Sequence, residues 1–234
     1  MIRVLTRCLL VSLALGAATE ARADGAEAIL KKADEVRNPA DSYRLVVDVK
    51  SDDDESEMEV SIKGHDRTFV KTLKPERDKG RTMLMLGEDM WVSMPKTKKP
   101  IRVSLNQKLS GQAANGDITR QRWSGDYAAK IESETDKQWV LKLVAERDNL
   151  TYDRIRLWVD KKTYRPAKAE YLTKSGKLLK KATFQGYKHM AGGMRPTETV
   201  ITSATSDHDK SVITIRELET KDFPDSLFNQ NALN

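Results

Sequence analysis

Tyr43-Arg-Leu-Val-Val-Asp-Val49, the acidic Ser51-Asp-Asp-Asp-Glu55 and then Glu57-Met-Glu-Val-Ser-Ile-Lys63 form the stretch that decides the fold. In both arms apolar residues largely alternate with polar ones, the period of a half-buried strand. The link between them is rich in Asp, a turn-former, so the segment reads as a β-hairpin.

Working outward, the same rhythm continues to the C-terminus. Strands are expected near residues 68–73, 81–86, 90–94, 128–134, 139–145, 153–159, 166–172, 177–187, 195–203 and 211–218. Turn signals separate them at Gly87-Glu-Asp89, Asp160-Lys-Lys162, Ser175-Gly176, Gly192-Gly193 and Ser206-Asp-His-Asp209. This predicts a mainly β (α+β) chain built on a single large, curved antiparallel sheet. Upstream, Ala26 to Val36 places Ile29, Ala33 and Val36 on one helical face, and Asn38-Pro39 ends the helix. At the other end, Pro224-Asp-Ser-Leu-Phe228 predicts a short helix packing through Leu227 and Phe228.

One segment breaks the rhythm. Residues 104–125 are too long for a hairpin turn, and insertions of this length in compact domains are often lids or binding loops. Asp117 is placed to cap a short helix from Ile118, projecting Trp123 towards the sheet.

The N-terminus reads as an export signal. Arg3 and Arg7 precede the apolar run Cys8 to Ala18, and Ala21-Arg-Ala23 is a small-residue cleavage site. Residues 1–23 are therefore expected to be removed, leaving a single domain over 24–234. Cys8 is the one cysteine and leaves with the signal, so disulfides, thiolate zinc sites and thiol nucleophiles are not expected in the mature chain. Arg3, Arg7 and Arg22 outweigh Glu20 in that segment, so removal also lowers the net charge of +6. For an exported chain the acidic partners of a mildly basic surface are phospholipid head groups rather than nucleic acid.

Catalytic chemistry is hard to assemble. His65, His189 and His208 are scattered, and neither H-E-x-x-H nor G-x-S-x-G occurs. Asp52-Asp53-Asp54 lacks the alternating ligands and central Gly of a calcium loop. The reading is a non-enzyme with no metal and no cofactor. Lys96, Lys98, Lys99 and Arg102 form a basic group beside the insertion; Lys174, Lys177, Lys180 and Lys181 form another. The apolar pattern says more. Residues 81–87 and 90–94 are apolar on both strand faces, and 139–144 and 155–159 largely so. Such strands need cover on both sides: the N-terminal helix on one, and the insertion or a ligand on the other. Met83, Met85, Met90 and Met94 cluster there, and flexible thioethers suit an irregular guest as well as an ordinary core.

Several motifs then fall in a familiar order. Trp91-Val-Ser-Met-Pro95, a basic stretch and Ile101-Arg-Val-Ser104 come first. Gly116-Asp-Ile-Thr-Arg120 with Asp126-Tyr127 follow, then Leu157-Trp-Val-Asp160 with Tyr164-Arg-Pro166, and finally Phe223-Pro-Asp-Ser-Leu-Phe228. Together, from about Asp24 to Leu233, they resemble the LolA-like outer-membrane lipoprotein-sorting proteins. Gln112-Ala-Ala-Asn115 departs from that family's Gly-Ser-Asp-Phe-type core. The resemblance implies an open, incomplete β-barrel holding helices, including a short lid, against its concave face. It implies a periplasmic carrier of lipoprotein or other lipid acyl chains, moving them towards the outer membrane. An inner-membrane transporter and an outer-membrane acceptor become the expected partners, with only peripheral membrane contact. The alternative is a sensor or adaptor docking on such a transporter without lipid. The groove is then expected to be lined by Met83, Met85, Trp91, Trp139, Leu141, Leu143, Ile155 and Leu157, with Leu109, Ile118 and Trp123 in the lid. Strand register decides which face looks inward. Leu141→Glu is expected to abolish lipid uptake before it abolishes folding.

Overall fold

The computed structural model describes residues 12–96 and 99–233, with side chains from residue 25 onward. Of the expected signal peptide, residues 1–11 lie outside the described residues, as does Lys98 of the first basic group. Helix α1 (Ser12–Arg37) begins earlier than the expected Ala26 and runs through the expected cleavage site. It stops where Asn38 turns back, its N–H donating to Asp34 O at 2.8 Å, with Pro39 next in the chain.

Strands β1 (Ser42–Ser51), β2 (Glu55–Lys63), β3 (Arg67–Lys74), β4 (Thr82–Leu86), β5 (Asp89–Ser93) and β6 (Ile101–Val103) follow. A small hairpin, β7 (Lys108–Ser110) and β8 (Ala113–Ala114), leads into helix α2 (Asn115–Thr119). Then come β9 (Tyr127–Glu134), β10 (Gln138–Ala145), β11 (Arg154–Asp160), β12 (Pro166–Leu172) and β13 (Leu178–Gln185). A second small hairpin, β14 (Lys188–Met190) and β15 (Gly193–Arg195), precedes β16 (Glu198–Ser203) and β17 (Lys210–Thr220).

Thirteen strands form one sheet in the order β6-β5-β4-β3-β2-β1-β17-β16-β13-β12-β11-β10-β9. Every pairing in it is antiparallel, and β6 and β9 remain as edges, so the barrel is open. The hairpin of the opening stretch is present, with Ser42 opposite Lys63 and Lys50 opposite Glu55. β1 pairs on its other side with β17, so the two ends of the domain meet mid-sheet. The strand expected at 195–203 is split, because Pro196 has no N–H for a ladder. The hairpin strands β7, β8, β14 and β15 are too short to show a period.

Register gives the sheet two apolar faces of different extent. On the inner face, Leu45, Val47 and Val49 of β1 join Val60, Met83, Met85, Leu141, Leu143 and Leu157 in one core. Ala26, Ile29, Leu30 and Ala33 of α1 pack into that core, and Glu27 accepts the N–H of Ala129 on the β9 edge. Complete burial of a side chain such as Leu30 stabilises by about 1.5–3 kcal/mol. On the outer face, Leu84 packs with Phe223, Phe228 and Leu233 of the C-terminal tail, and Phe69, Leu86, Trp91 and Leu227 lean on them. This corrects the expected cover of β4 and β5. Helix and insertion both lie inside, and the tail covers the outside, with Leu227 ending a short 3-10 turn (Asp225–Leu227).

Candidate functional site

Residues 104–126 connect β6 to β9, the two free edges of the sheet, by crossing its inner face. Their anchors are mostly polar. At one end Ser211 Oγ donates to Ser110 O at 3.0 Å and accepts the Gln112 N–H at 2.8 Å. Gly111 has φ +52°, and a Cβ there would run into Ser211 and Ser51. Further along, α2 starts three residues before the expected Ile118, and Asp117 reaches back to accept the Ala114 N–H at 2.8 Å. Tyr152 Oη donates to both Asp117 oxygens, at 2.9 and 3.0 Å. Burial raises the Asp117 pKa, opposed by these donors and by Lys180. Gly116 lies so close to Thr151 that a Cβ would overlap its side chain.

Beyond α2, Asp34 of α1 holds the chain. Its Oδ2 accepts the Trp123 N–H at 2.8 Å, the Ser124 N–H at 2.7 Å and Ser124 Oγ at 2.8 Å. Burial pushes this carboxyl up as well, against the opposing pull of Arg37 and the Ser124 and Trp123 donors. The segment ends in an ion cluster. Arg120 binds Asp126 through Nη2 at 2.7 Å and through Nε, and donates to Gly87 O. His65 Nε2 lies 3.0 Å from Asp126 Oδ1, and Arg147 pairs with the same oxygen. Burial pushes Asp126 up, but Arg120 and His65 outweigh it and hold the carboxyl down, to about 2.

Between this cover and the sheet is a cavity of about 60 Å³. Leu45, Val47, Ile201, Ile213 and Ile215 form its floor, Ile155, Tyr171 and Phe184 its walls, and Ile118 and Trp123 its roof. That is room for a few waters, whereas pockets for drug-sized ligands run to roughly 300–1,000 Å³. Its lining is apolar over the sheet and polar at the edge, where Arg37, Asp117, Gln121 and Arg122 contribute.

Of the predicted groove residues, only Ile155 lines this cavity. Met83, Met85, Leu141, Leu143 and Leu157 share its face but are sealed in the core at 0% exposure. Trp139 is half-buried against Tyr164, ring centroids 5.5 Å apart. Trp91 is a correction: it points outward, because its β5 neighbours Met90 and Val92 take the inner face. Ile118 and Trp123 are buried on the crossing segment, and Leu109 packs partly buried against the core. The floor residues of β1, β16 and β17 escaped the sequence reading, although Leu45 and Val47 alternate plainly. Among the described residues no group of three or more His, Cys, Asp or Glu is placed to hold a metal ion.

A solved LolA superfamily protein from Nitrosomonas europaea is 36% identical to this chain. The match covers 89% of this chain and 99% of that one, with a TM-score of 0.81. This chain belongs to the LolA superfamily. Two further structures share the LolA-like fold at 19% identity. An outer membrane lipoprotein-sorting protein domain from Vibrio parahaemolyticus covers 90% of this chain, with 99% of its own length and a TM-score of 0.73. A DUF1329 family protein from Desulfovibrio piger covers 91%, again with 99% of its own length, at a TM-score of 0.75. A family profile described as an uncharacterized protein matches residues 64–234. No curated protein sequence matches the chain. The LolA-like resemblance and the open, incomplete barrel expected from it are both borne out. The departure at Gln112–Asn115 falls on the β7–β8 turn, on β8 itself and on the first residue of α2.

Proposed function

We propose that this LolA-superfamily chain is a non-enzymatic periplasmic carrier of acyl chains. Residues 1–23 act as its export signal and 24–234 as the carrier domain. An inner-membrane transporter loads it, and an outer-membrane acceptor unloads it. Exposing a 16-carbon chain to water costs roughly 12 kcal/mol at about 0.8 kcal/mol per methylene. A carrier must offset most of that and still release the chain.

The observation that carries the reading is the apolar floor under a cover fastened by hydrogen bonds and ion pairs at its rim. Such a cover can leave without breaking a strand ladder, and the cavity of about 60 Å³ must enlarge before a chain enters. Native mass spectrometry with lipid extraction, on protein purified from a periplasmic fraction without detergent, tests this. Acylated species bound near one-to-one, and lost in Ile215→Glu on the half-buried floor, are expected. A protein that stays empty after incubation with membranes and lipoproteins would overturn the reading in favour of an adaptor.

A further inference from the structure

The mouth of the cavity carries more positive charge than an alkyl chain requires. Arg37, the last residue of α1, and Arg122, just after α2, both line it. The Arg37 guanidinium lies 3.9 Å from the Trp123 ring centroid and 5.4 Å from that of Phe184. It donates to Gln121 O at 2.9 Å and to Gln121 Oε1 at 3.3 Å, both uncharged acceptors. Arg122 donates to Ala40 O at 2.8 Å and to the exposed Asp41 at 3.2 Å. Its Nε is buried with no acceptor among the described residues. Buried donors are seldom left unpaired, and one that is calls for a reason. The third cation on the lining, Arg120, is committed to Asp126.

We propose that Arg37 and Arg122 form an anion subsite at the cavity mouth. It takes the head group of an acyl chain that ends in a carboxylate or a phosphate. The proposal rests on the carrier reading and narrows its cargo. In the closed state the cover imitates both halves of such a ligand: Gln121 places two oxygens on Arg37, and Trp123 places a ring beside Phe184. When Gln121 and Trp123 move away, the Arg37 donors and the apolar floor become free together, and Arg122, carried on the same segment, reaches the head group from the cover side. Guanidinium binds carboxylate and phosphate oxygens in a two-point, charge-assisted manner. The acylated N-terminus of a lipoprotein offers ester and amide carbonyls without a negative charge, so this subsite favours an anionic lipid over it.

The test is competition against a fluorescent acyl probe by three ligands: palmitate, palmitoyl lysophosphatidylglycerol and uncharged hexadecanol. At least one anionic ligand is expected to bind about tenfold more tightly than hexadecanol, the gain of a charge-assisted contact. Which anion binds better distinguishes a carboxylate from a phosphate head group. In Arg122→Gln, and in Arg37→Gln as a second variant, the anionic-to-neutral ratio should fall towards one, with Arg122→Lys keeping part of it. Because the ratio is internal to each variant, a general loss of folded protein does not imitate the effect. Equal binding of all three ligands by the unmodified protein, or an unchanged ratio in both Gln variants, overturns the subsite and leaves the carrier reading standing. If none of the three binds, both fall.

Discussion

Arg120 and Asp126 form a two-point ion pair, with side chains 3% and 0% exposed, where the two ends of the open sheet meet. Gly87 on the β4–β5 turn and His65 on the β2–β3 turn belong to one end, and Asp126 at the start of β9 to the other. The pair therefore fastens a seam that no strand ladder closes. Removing one member of a buried pair strands the other charge. Asp126→Asn is expected to lower stability by about 3–5 kcal/mol, measured by denaturant unfolding.

The same carboxylate gives an acid limit. Its pKa is about 2 in the fold against about 3.9 in an unfolded chain. A depressed carboxyl contributes stability that is fully present above the unfolded value and is lost as pH falls through the folded one. Unfolding midpoints should therefore drop between about pH 4 and pH 2, and Asp126→Asn should flatten that limb of the profile.

Asp34 acts with the opposite sign. Its raised pKa means that the unfolded chain releases this proton before the folded one does, so stability falls as pH rises above about 4. Asp34→Asn should reduce that fall while keeping an acceptor for Trp123 and Ser124. Asp34→Ala should free the cover, costing about 1–3 kcal/mol for each donor left buried. Tryptophan quenching by acrylamide would show Trp123 becoming accessible.

Gly116→Ala drives a methyl group into Thr151. Overpacking of this kind costs about 1–3 kcal/mol, and here the strain falls on α2. The expected result is faster exchange of a fluorescent acyl probe than in the unmodified protein, with α2 amides losing protection from hydrogen exchange.

Phe228 separates the two faces. Phe228→Ala on the outer face should destabilise by about 3–5 kcal/mol while acyl-probe affinity per folded molecule stays unchanged. An affinity loss would mean that the faces are coupled through β4 and β5.

How much of this is legible in the sequence differs from element to element. The paired alternation in β1 and β2 suffices for a sheet, because a period of two admits no helical alternative. The same logic misplaces Trp91. Its strand is apolar on both faces, and nothing local says that Phe223 and Phe228, over a hundred residues later, cover the outer one. Two-faced strands drew the groove towards Met83 and Leu141, yet Leu141 is at 0% exposure within the core. Leu141→Glu would therefore unfold the protein rather than only empty it. The cavity lies instead over one-faced strands in mid-sheet. Arg37 was invisible as a site residue because its partner Gln121 is 84 positions away, and only the crossing of the insertion brings them together.

That crossing has a consequence for the girth of the molecule. A continuous ring of hydrogen-bonded strands has a bore set by strand number and stagger, and widening it means breaking whole ladders. Here the ring is a cuff with a buckle. Slackening a handful of side-chain pairs lets the circumference grow while every one of the thirteen strands keeps its neighbours. On the carrier reading proposed above, a container so made fits its width to the load, and guests of different bulk share it without any change in its staves.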